Sequence, residues 1–285
     1  FLADKSETAI IRHLLGHRIP GAPALLDSAI INCIDCESWE VSIAGRFLTE
    51  VGLVTFDSRD LQGLSSPGAY AENIFKQAYF YHCRLTKNAH MQNLRYCRGD
   101  PERNRFGCTR FVSEQELSQV LNSAFSWPID VHKPKLGFCP VIFLGHAIHN
   151  DLRMLHESVD LSNEAMENVV ATIDTQHLAR AAGLDQQISL LNLVTCHEFA
   201  FRDAHTACND AAYTLFCGIM TALARELAPL NNGSPNTAQD VVDTMEAYSK
   251  VNSRPTFGRR DYCTKCNSLA HQRRYCRVRV ECSKC

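Results

Sequence analysis

An apolar stretch that ends in two acidic residues constrains the fold of this chain more than any other feature. Residues 29–36 are predicted to form a strand, with Asp35 and Glu37 at its end. Side chains at alternate strand positions share one face, so the two carboxylates should project towards the same point. Because an unpaired buried charge is costly, such a pair indicates a divalent cation or a shared proton. A solvent-facing strand end is the ordinary alternative for an isolated Asp-x-Glu.

The composition is that of a globular protein, with 45% hydrophobic and 21% charged residues. No run of about eighteen apolar residues occurs, so neither a membrane span nor a membrane partner is predicted. The chain starts without a basic-then-apolar leader. We therefore expect a fragment without a secretory signal, from a protein that works inside the cell, in the cytoplasm or nucleus.

Cysteine and charge are both unevenly distributed. Of the fourteen cysteines, five fall within the last 23 residues at short spacings. Long periodic segments elsewhere favour buried thiols plus a metal site over a disulfide framework. Residues 254–285 carry a net charge of +7, which leaves −9 in residues 1–253. A basic end on an acidic body favours a polyanionic partner for that end.

The hydrophobic pattern predicts an α/β fold with a mixed sheet of five strands flanked by helices. The predicted strands are 29–36, 47–56, 77–85, 140–144 and 169–173. The predicted helices are 7–15, 113–125 (opened by a capping box), 150–157, 175–182, a piece from 190 to 194, and 206–226.

These elements divide the chain into four parts. Residues 1–28 form an N-terminal extension, 29–228 the main domain, 229–260 a linker, and 261–285 a small C-terminal module. Within the main domain, residues 57–112 look like an insertion, and the polar residues 86–112 look like a long loop. The linker holds one short helix, predicted at 237–248.

Two further acids are expected to join Asp35 and Glu37. Asp151 ends the run that starts at Gly145, where a strand turns into a helix, and open α/β sheets bind ligands at such turns. Asp210 lies in the early turns of the longest helix. His205 precedes it by five residues, which places the imidazole on the loop that leads into this helix.

In this order, the three segments resemble the exonuclease motifs of the DEDDh superfamily. They read Asp35-Cys36-Glu37, Gly145 to Asp151, and His205 to Ala211, with supporting segments at 49–53 and 173–180. The resemblance covers about residues 30–228 and implies an RNase H-like fold. Residues 147–151 are most similar to the RNA-processing branch, and residues 174–180 to a fungal quelling-associated exonuclease-like group.

The resemblance implies a two-metal phosphodiester hydrolysis. Asp35, Glu37 and Asp210 would hold one Mg²⁺ or Mn²⁺ ion that activates water. Asp35 and Asp151 would share a second ion that stabilises the departing 3′-oxygen, and His205 would be the general base. The implied reaction is 3′→5′ exonucleolytic cleavage of single-stranded nucleic acid, expected to be RNA, to nucleoside 5′-monophosphates.

Two other functions stay open at this point. The chain could be a non-catalytic RNase H-like adaptor that binds RNA, or an exonuclease that acts on DNA. RNA-silencing or RNA-processing proteins are the expected protein partners. Ser38-Trp39 stands where many relatives have two small hydroxyl residues, and the 57–112 region exceeds the family minimum, which leaves substrate choice open.

Other histidines and cysteines of the main domain are given no metal role. His146, His149, His177 and His197 are interpreted as packing or solvent-facing residues. The group of Cys97, Cys108, His82 and His90 matches no zinc spacing and is interpreted as unmetallated.

The C-terminal spacing Cys263-x2-Cys266-x4-His271-x4-Cys276 resembles a CCHC zinc knuckle. Three thiolates and one imidazole suit a structural Zn²⁺ ion. In a second pairing, Cys282 and Cys285 would join Cys263 and Cys266 instead. Otherwise Cys282 and Cys285 start a truncated second knuckle.

Zinc knuckles bind single-stranded nucleic acid, which suggests roles for the basic and aromatic residues around this motif. The expected phosphate contacts are Arg273, Arg274, Arg277 and Arg279. The expected base-stacking groups are Tyr262 and Tyr275.

Overall fold

A single mixed sheet organises the protein in the computed structural model, which describes residues 1–41, 45–93 and 97–279. Its strands are β1 (Ile30–Val41), β2 (Gly45–Asp57), β3 (Tyr79–Leu85), β4 (Cys108–Val112), β5 (Val141–Gly145) and β6 (Val169–Asp174). They lie in the order β4-β3-β2-β1-β5-β6. The pairs β1/β2 and β2/β3 are antiparallel, whereas β3/β4, β1/β5 and β5/β6 are parallel. The α/β architecture with a mixed sheet is confirmed.

Helices cover both faces of this sheet. They are α1 (Glu7–Leu14), α2 (Glu72–Phe75), α3 (Glu114–Phe125), α4 (His149–Ser158), α5 (Asn163–Glu167), α6 (Thr175–Ala181), α7 (Leu190–Cys196), α8 (Ala207–Ala222), α9 (Ala224–Asn231) and α10 (Ala238–Asn252). The predicted capping box at the start of α3 is present, with Ser113 and Glu116 bonded to each other's backbone N–H groups. Among the described residues, no helix combines the length and apolar character needed to cross a bilayer.

The strict alternation of β1 separates two hydrophobic cores. Ile31 and Cys33 pack into the larger core with α8, and Ile34 and Cys36 pack into the second core with α3 and α4. Asp35 therefore continues the face that is covered by α8. This helix is buried along almost its whole length, as its mostly apolar sequence favours.

A glycine allows α8 to approach the sheet closely. A Cβ atom at Gly52 of β2 would lie 2.2 Å from the Ala207 carbonyl oxygen and 2.4 Å from the Cys208 backbone nitrogen. Any other residue at position 52 would push the first turn of α8 away from the sheet. Gly52 therefore sets the distance between strands β1 and β2 and the first turn of α8, which carries Asp210.

The prediction of a loop over residues 86–112 is wrong at the C-terminal end of this range, because the structure contains a sixth strand there. β4 pairs in parallel with β3, from Tyr81 opposite Cys108 to Leu85 opposite Val112. The strand is short and lies at the sheet edge, and only its last two residues are buried. A five-residue edge strand of this kind carries too little alternation to be recognised in the sequence.

Two helical predictions also need correction. The helix predicted at 206–226 is interrupted at Leu223, and a separate helix, α9, continues through Pro229 to Asn231. The predicted linker contains α10, whose Val241, Val242 and Met245 belong to the main core. Residues 238–252 are therefore a packed part of the domain and not a spacer.

The C-terminal module is docked on the edge strand. Phe111 of β4 and Arg259 exchange two backbone hydrogen bonds of 2.8 Å. The Tyr262 ring lies on Phe111 with 5.2 Å between ring centroids, and its hydroxyl donates to the Thr86 carbonyl oxygen at 3.2 Å. These contacts join the module to the sheet through both backbone and side chains.

We expect Gly52→Ala to destabilise the fold because the new methyl group collides with the α8 backbone. The free energy of unfolding should fall by about 1–3 kcal/mol. Gly63→Ala is the matched control, since a Cβ atom there meets nothing within 4 Å. Urea unfolding followed by circular dichroism measures both variants. Equal stability of Gly52→Ala and the wild type would contradict the close approach of α8.

Candidate functional site

Asp35 and Asp151 meet where β5 ends beside β1. The parallel pairing of these strands stops at Cys33 and Leu144, which leaves the later N–H groups on the β5 side of β1 without a strand partner. The Cys36 N–H instead donates to Asp151 Oδ1 at 2.8 Å. Asp151 is buried at the start of α4, so the open edge of β1 fixes its carboxylate beside Asp35.

Another buried aspartate, Asp174, stabilises the turn that leads into α4. Asp174, at the end of β6, accepts hydrogen bonds from the N–H groups of Ala147 and Ile148, each at 3.1 Å. Ala147 has a positive φ of 51°, a conformation that non-glycine residues seldom adopt. Asp174 therefore stabilises the turn that delivers Asp151 to the site.

Asp210 lies in the first turn of α8, as predicted, and faces β1. Its side chain is buried, and its Oδ2 atom accepts from the His205 N–H at 3.1 Å. Because Gly52 allows the close approach of α8, Asp210 and Asp35 interact electrostatically. The Oδ1 atom of Asp210 and the Oδ2 atom of Asp35 are enclosed without a hydrogen-bond partner among the described residues.

His205 lies on the loop before α8, as predicted, and is half-exposed. Its Nδ1 atom is 3.8 Å from Glu37 Oε1. Its φ is +57°, and the neighbouring Asp203 is also left-handed at +51°, which is a strained arrangement for two non-glycine residues. Gly99 holds this loop from the other side, because a Cβ atom at Gly99 would lie 1.6 Å from the His205 carbonyl oxygen.

Burial and mutual repulsion disfavour charge on these acids. The pKa of Asp35 is raised well above its usual range by burial first, then by Asp151, Asp210 and Glu37. Burial is also the main cause that raises the pKa of Asp151 to about 7 and that of Asp210 to about 8. Burial lowers the pKa of His205, which keeps its imidazole neutral at physiological pH.

This donor set fits a divalent cation. Glu37, His205 and Asp210 each present one ligand atom within 4.8 Å of the others, and Asp35 and Asp151 lie outside that tight trio. Carboxylate oxygens are the ligands that Mg²⁺ and Mn²⁺ prefer. The two enclosed carboxylate oxygens lack the partner that a cation would supply, and positive charge would offset the burial and the repulsion that raise the three pKa values.

A buried layer behind the acids was not predicted from the sequence. Glu50 of β2 is the cross-strand partner of Glu37, and its Oε2 atom lies 2.8 Å from His82 Nε2. His82 Nδ1 lies 2.8 Å from Thr109 Oγ1, and the Ala207 N–H donates to Glu50 Oε2 at 3.5 Å. This chain of contacts links the start of α8 to three strands. The position of Glu50 opposite Glu37 was the signal available in the sequence.

Most other histidines are engaged in local contacts. His146 contacts Thr175, His177 contacts Glu7, and His197 contacts Thr221, at distances of 2.7 to 2.9 Å. His149 is exposed at the start of α4. These observations agree with packing or solvent-facing roles.

The C-terminal cluster has the composition of a zinc site. Cys263, Cys266, His271 and Cys276 present ligand atoms that all lie within 4.8 Å of one another. Burial alone would raise the pKa of Cys263, but hydrogen bonds from the Lys265 and Cys266 backbone, and from the neighbouring thiols, lower it to about 6. A cysteine with so low a pKa is readily present as the thiolate that binds metal. The cluster could therefore hold zinc.

The alternative ligands Cys282 and Cys285 lie outside the described residues, as does the truncated second knuckle predicted there. Within the described part of the chain, His271 and Cys276 join Cys263 and Cys266. This grouping favours the CCHC pairing over the alternative that left His271 and Cys276 unused.

The structure does not support base stacking by Tyr262. Only 9% of this residue is exposed, and its hydroxyl bonds to the Thr86 carbonyl oxygen and to Asn267 Oδ1. Tyr262 instead anchors the module on Phe111. Tyr275 is 64% exposed and lies beside Arg274, with 4.8 Å between the guanidinium carbon and the ring centroid. Arg273, Arg277 and Arg279 are exposed.

Comparison with known proteins agrees with this geometry. The family model described as DEDDh_C, DNA polymerase III subunit epsilon-like, C-terminal domain, matches residues 30–221. This range contains Asp35, Glu37, Asp151, His205 and Asp210. No curated protein matches the chain significantly. DEDDh exonucleases use divalent metals and act on nucleic acids, and because the match covers more than half of the 285 residues, the chain belongs to this DEDDh exonuclease family.

Proposed function

We propose that this protein is a metal-dependent 3′→5′ exonuclease that degrades single-stranded RNA to nucleoside 5′-monophosphates. The observation that carries the proposal is the clustering of Glu37, His205 and Asp210 within 4.8 Å of one another, with Asp35 in electrostatic contact with Asp151, Asp210 and Glu37. Two carboxylate oxygens there lack a hydrogen-bond partner within the described structure. A purely structural cluster would have no reason to concentrate mutually repelling acids.

When bound, two Mg²⁺ or Mn²⁺ ions activate the attacking water and stabilise the departing 3′-oxygen. Asp35, Glu37 and Asp210 would hold the first ion, and Asp35 and Asp151 the second. His205 would take the proton from the water as its oxygen forms a bond to phosphorus and the P–O3′ bond breaks. A neutral imidazole is needed for this step, and the lowered pKa of His205 supports it.

A small cavity beside the acids is bordered by Glu37, Trp39, Pro101 and His205. The segment around Gly99 packs against the His205 loop, and Thr206 Oγ1 donates to the Asp100 carbonyl oxygen at 3.2 Å. The 99–101 segment therefore borders the candidate site on the His205 side.

The choice of RNA over DNA rests on two features. Residues 147–151 are similar to the RNA-processing branch, and the Cys263 cluster has knuckle spacing. RNA-silencing or RNA-processing partners, and a place in a reducing compartment of the cell, belong to the same proposal. The strand order β3-β2-β1-β5-β6, with β2 antiparallel to its neighbours, supports the RNase H-like fold.

Asp35→Asn should abolish degradation because it removes a ligand of both metal ions. We expect the rate to fall by about 10²–10³-fold or more, with little loss of RNA binding. Glu157→Gln, an exposed change on α4, is the matched control. The assay follows 5′-labelled RNA and DNA of one sequence with Mg²⁺ and identifies the released nucleotides. Intact RNA after incubation with wild type, alongside degradation by an active relative, would contradict the proposal.

The melting temperature of the protein, and its increase on binding metal, should both depend on pH. Raised carboxyl pKa values mean that the fold favours the protonated acids, so without metal the melting temperature should fall as pH rises from about 5 to about 8. Mn²⁺ binds the ionised acids and should stabilise more at about pH 8 than at about pH 6. Thermal unfolding with and without Mn²⁺ measures this. The stabilisation by Mn²⁺ should vanish in the Asp35→Asn/Asp210→Asn variant. If Mn²⁺ raised the melting temperature of that variant as much as that of the wild type, the assignment of these acids as metal ligands would be contradicted.

The proposed knuckle should contain one Zn²⁺ ion per chain. Cys276→Ser removes a thiolate ligand and should reduce the zinc content by more than half, because incomplete structural sites release zinc readily. Cys196→Ser, at an exposed cysteine outside the cluster, is the control. Elemental analysis of the purified proteins gives both values. Full zinc occupancy in Cys276→Ser would exclude this ligand set.

A further inference from the structure

A second, much larger groove lies between the main domain and the C-terminal module. It has a volume of about 790 Å³, and its walls are the 101–111 segment, the end of α10 and the module. One acidic residue lines it, Glu102. Six basic residues line it: Arg84, Arg110, Lys250, Arg260, Arg273 and Arg274.

Most of these positive charges lack a carboxylate partner among the described residues, although Arg110, Arg273 and Arg274 make neutral contacts within the fold. Arg84 is buried and paired with Glu102 at 2.6 Å, as expected of a structural cation. No carboxylate of the described residues lies within 4.0 Å of the exposed Lys250, Arg260 or Arg274. Unpaired cations gathered around one concave surface repel one another and attract polyanions.

The docking of the module fixes the width of this groove. Arg260 follows directly on Arg259, which pairs with β4, and Tyr262 is packed on Phe111. Arg273 and Arg274 therefore face Lys250 and the main domain across a defined gap. The groove exists only because the module is held against the edge strand.

One residue connects the groove to the candidate active site. Pro101 lines the groove and also borders the small cavity next to Glu37 and His205. The preceding Gly99 and Asp100 contact the loop that carries His205. The groove and the cavity beside the candidate active site therefore share a border at Pro101.

We infer that this groove binds the sugar–phosphate backbone of single-stranded nucleic acid, on the 5′ side of the nucleotide being removed. The inference rests on the proposed exonuclease function for its direction. A regular series of phosphates matches unpaired cations on both walls. Exposed Tyr275 at the module offers a stacking surface for a base, which an acidic peptide would not use.

The test is RNA binding by full-length, zinc-loaded protein that carries Asp35→Asn to prevent degradation. Lys250→Ala/Arg260→Ala removes two groove cations, and Lys135→Ala/Arg225→Ala removes two exposed cations elsewhere. Fluorescence anisotropy with a single-stranded RNA of about 20 nucleotides gives affinities at several salt concentrations. The groove variant should bind about tenfold more weakly at low salt, and its salt slope should fall by about 0.7 per lost contact. The control should match the parent protein, and circular dichroism verifies folding.

Further results would overturn the groove inference or separate it from the proposed exonuclease function. Equal weakening in the groove and control variants would overturn the inference, as would displacement of RNA by poly-glutamate at equal charge concentration. In otherwise wild-type protein, the preference for long over short RNA in kcat/KM should fall only for the groove variant. Groove-dependent binding without any degradation by wild type would refute the exonuclease proposal and leave the groove assignment standing.

Discussion

Repulsion between carboxylates gathered at one end of the sheet is the constraint on which the rest of this structure depends. The pKa values of Asp35, Asp151 and Asp210 are raised by burial first and by neighbouring acids as well, so ionising these acids together costs stability. Backbone donors hold two of them in place, the Cys36 N–H for Asp151 and the His205 N–H for Asp210. The fold therefore presents the acids already arranged, and a cation gains affinity by relieving strain that the protein carries without it.

The scaffold maintains this arrangement through close contact between α8 and β2. Gly52 lets the first turn of the helix rest on the strand, and the buried contact between Glu50 and His82 lies beside the same turn. A satisfied polar network in a buried position resists rearrangement, because any shift would leave its members unpaired. The distance between Asp210 and Asp35 is thus set by packing and hydrogen bonds, before any metal binds.

The secondary-structure elements that carry the acids could be predicted from the sequence because their positions follow from local rules. Strand alternation aligned Asp35 with Glu37, and the start of a long helix identified Asp210. The left-handed loop at His205 could not be foreseen, since it depends on contact with Gly99 about a hundred residues away. β4 and the packing of α10 were missed for the same reason, because their stability comes from distant partners rather than from their own periodicity. Tyr262 looked like a stacking group until its partner Phe111 was known.

The docked module changes what a zinc knuckle would contribute to this enzyme. A knuckle on a flexible linker raises the local concentration of substrate but leaves the path to the active site undefined. Here Arg259 extends the sheet edge through Phe111, so the basic face of the module and Lys250 form opposite walls of one groove. The groove would then orient the substrate as well as raise its local concentration, because a nucleic-acid strand in this groove would approach Pro101 and the acids from one direction. Under the proposed function, the edge strand β4, which the sequence pattern did not predict, would join substrate binding in the groove to catalysis.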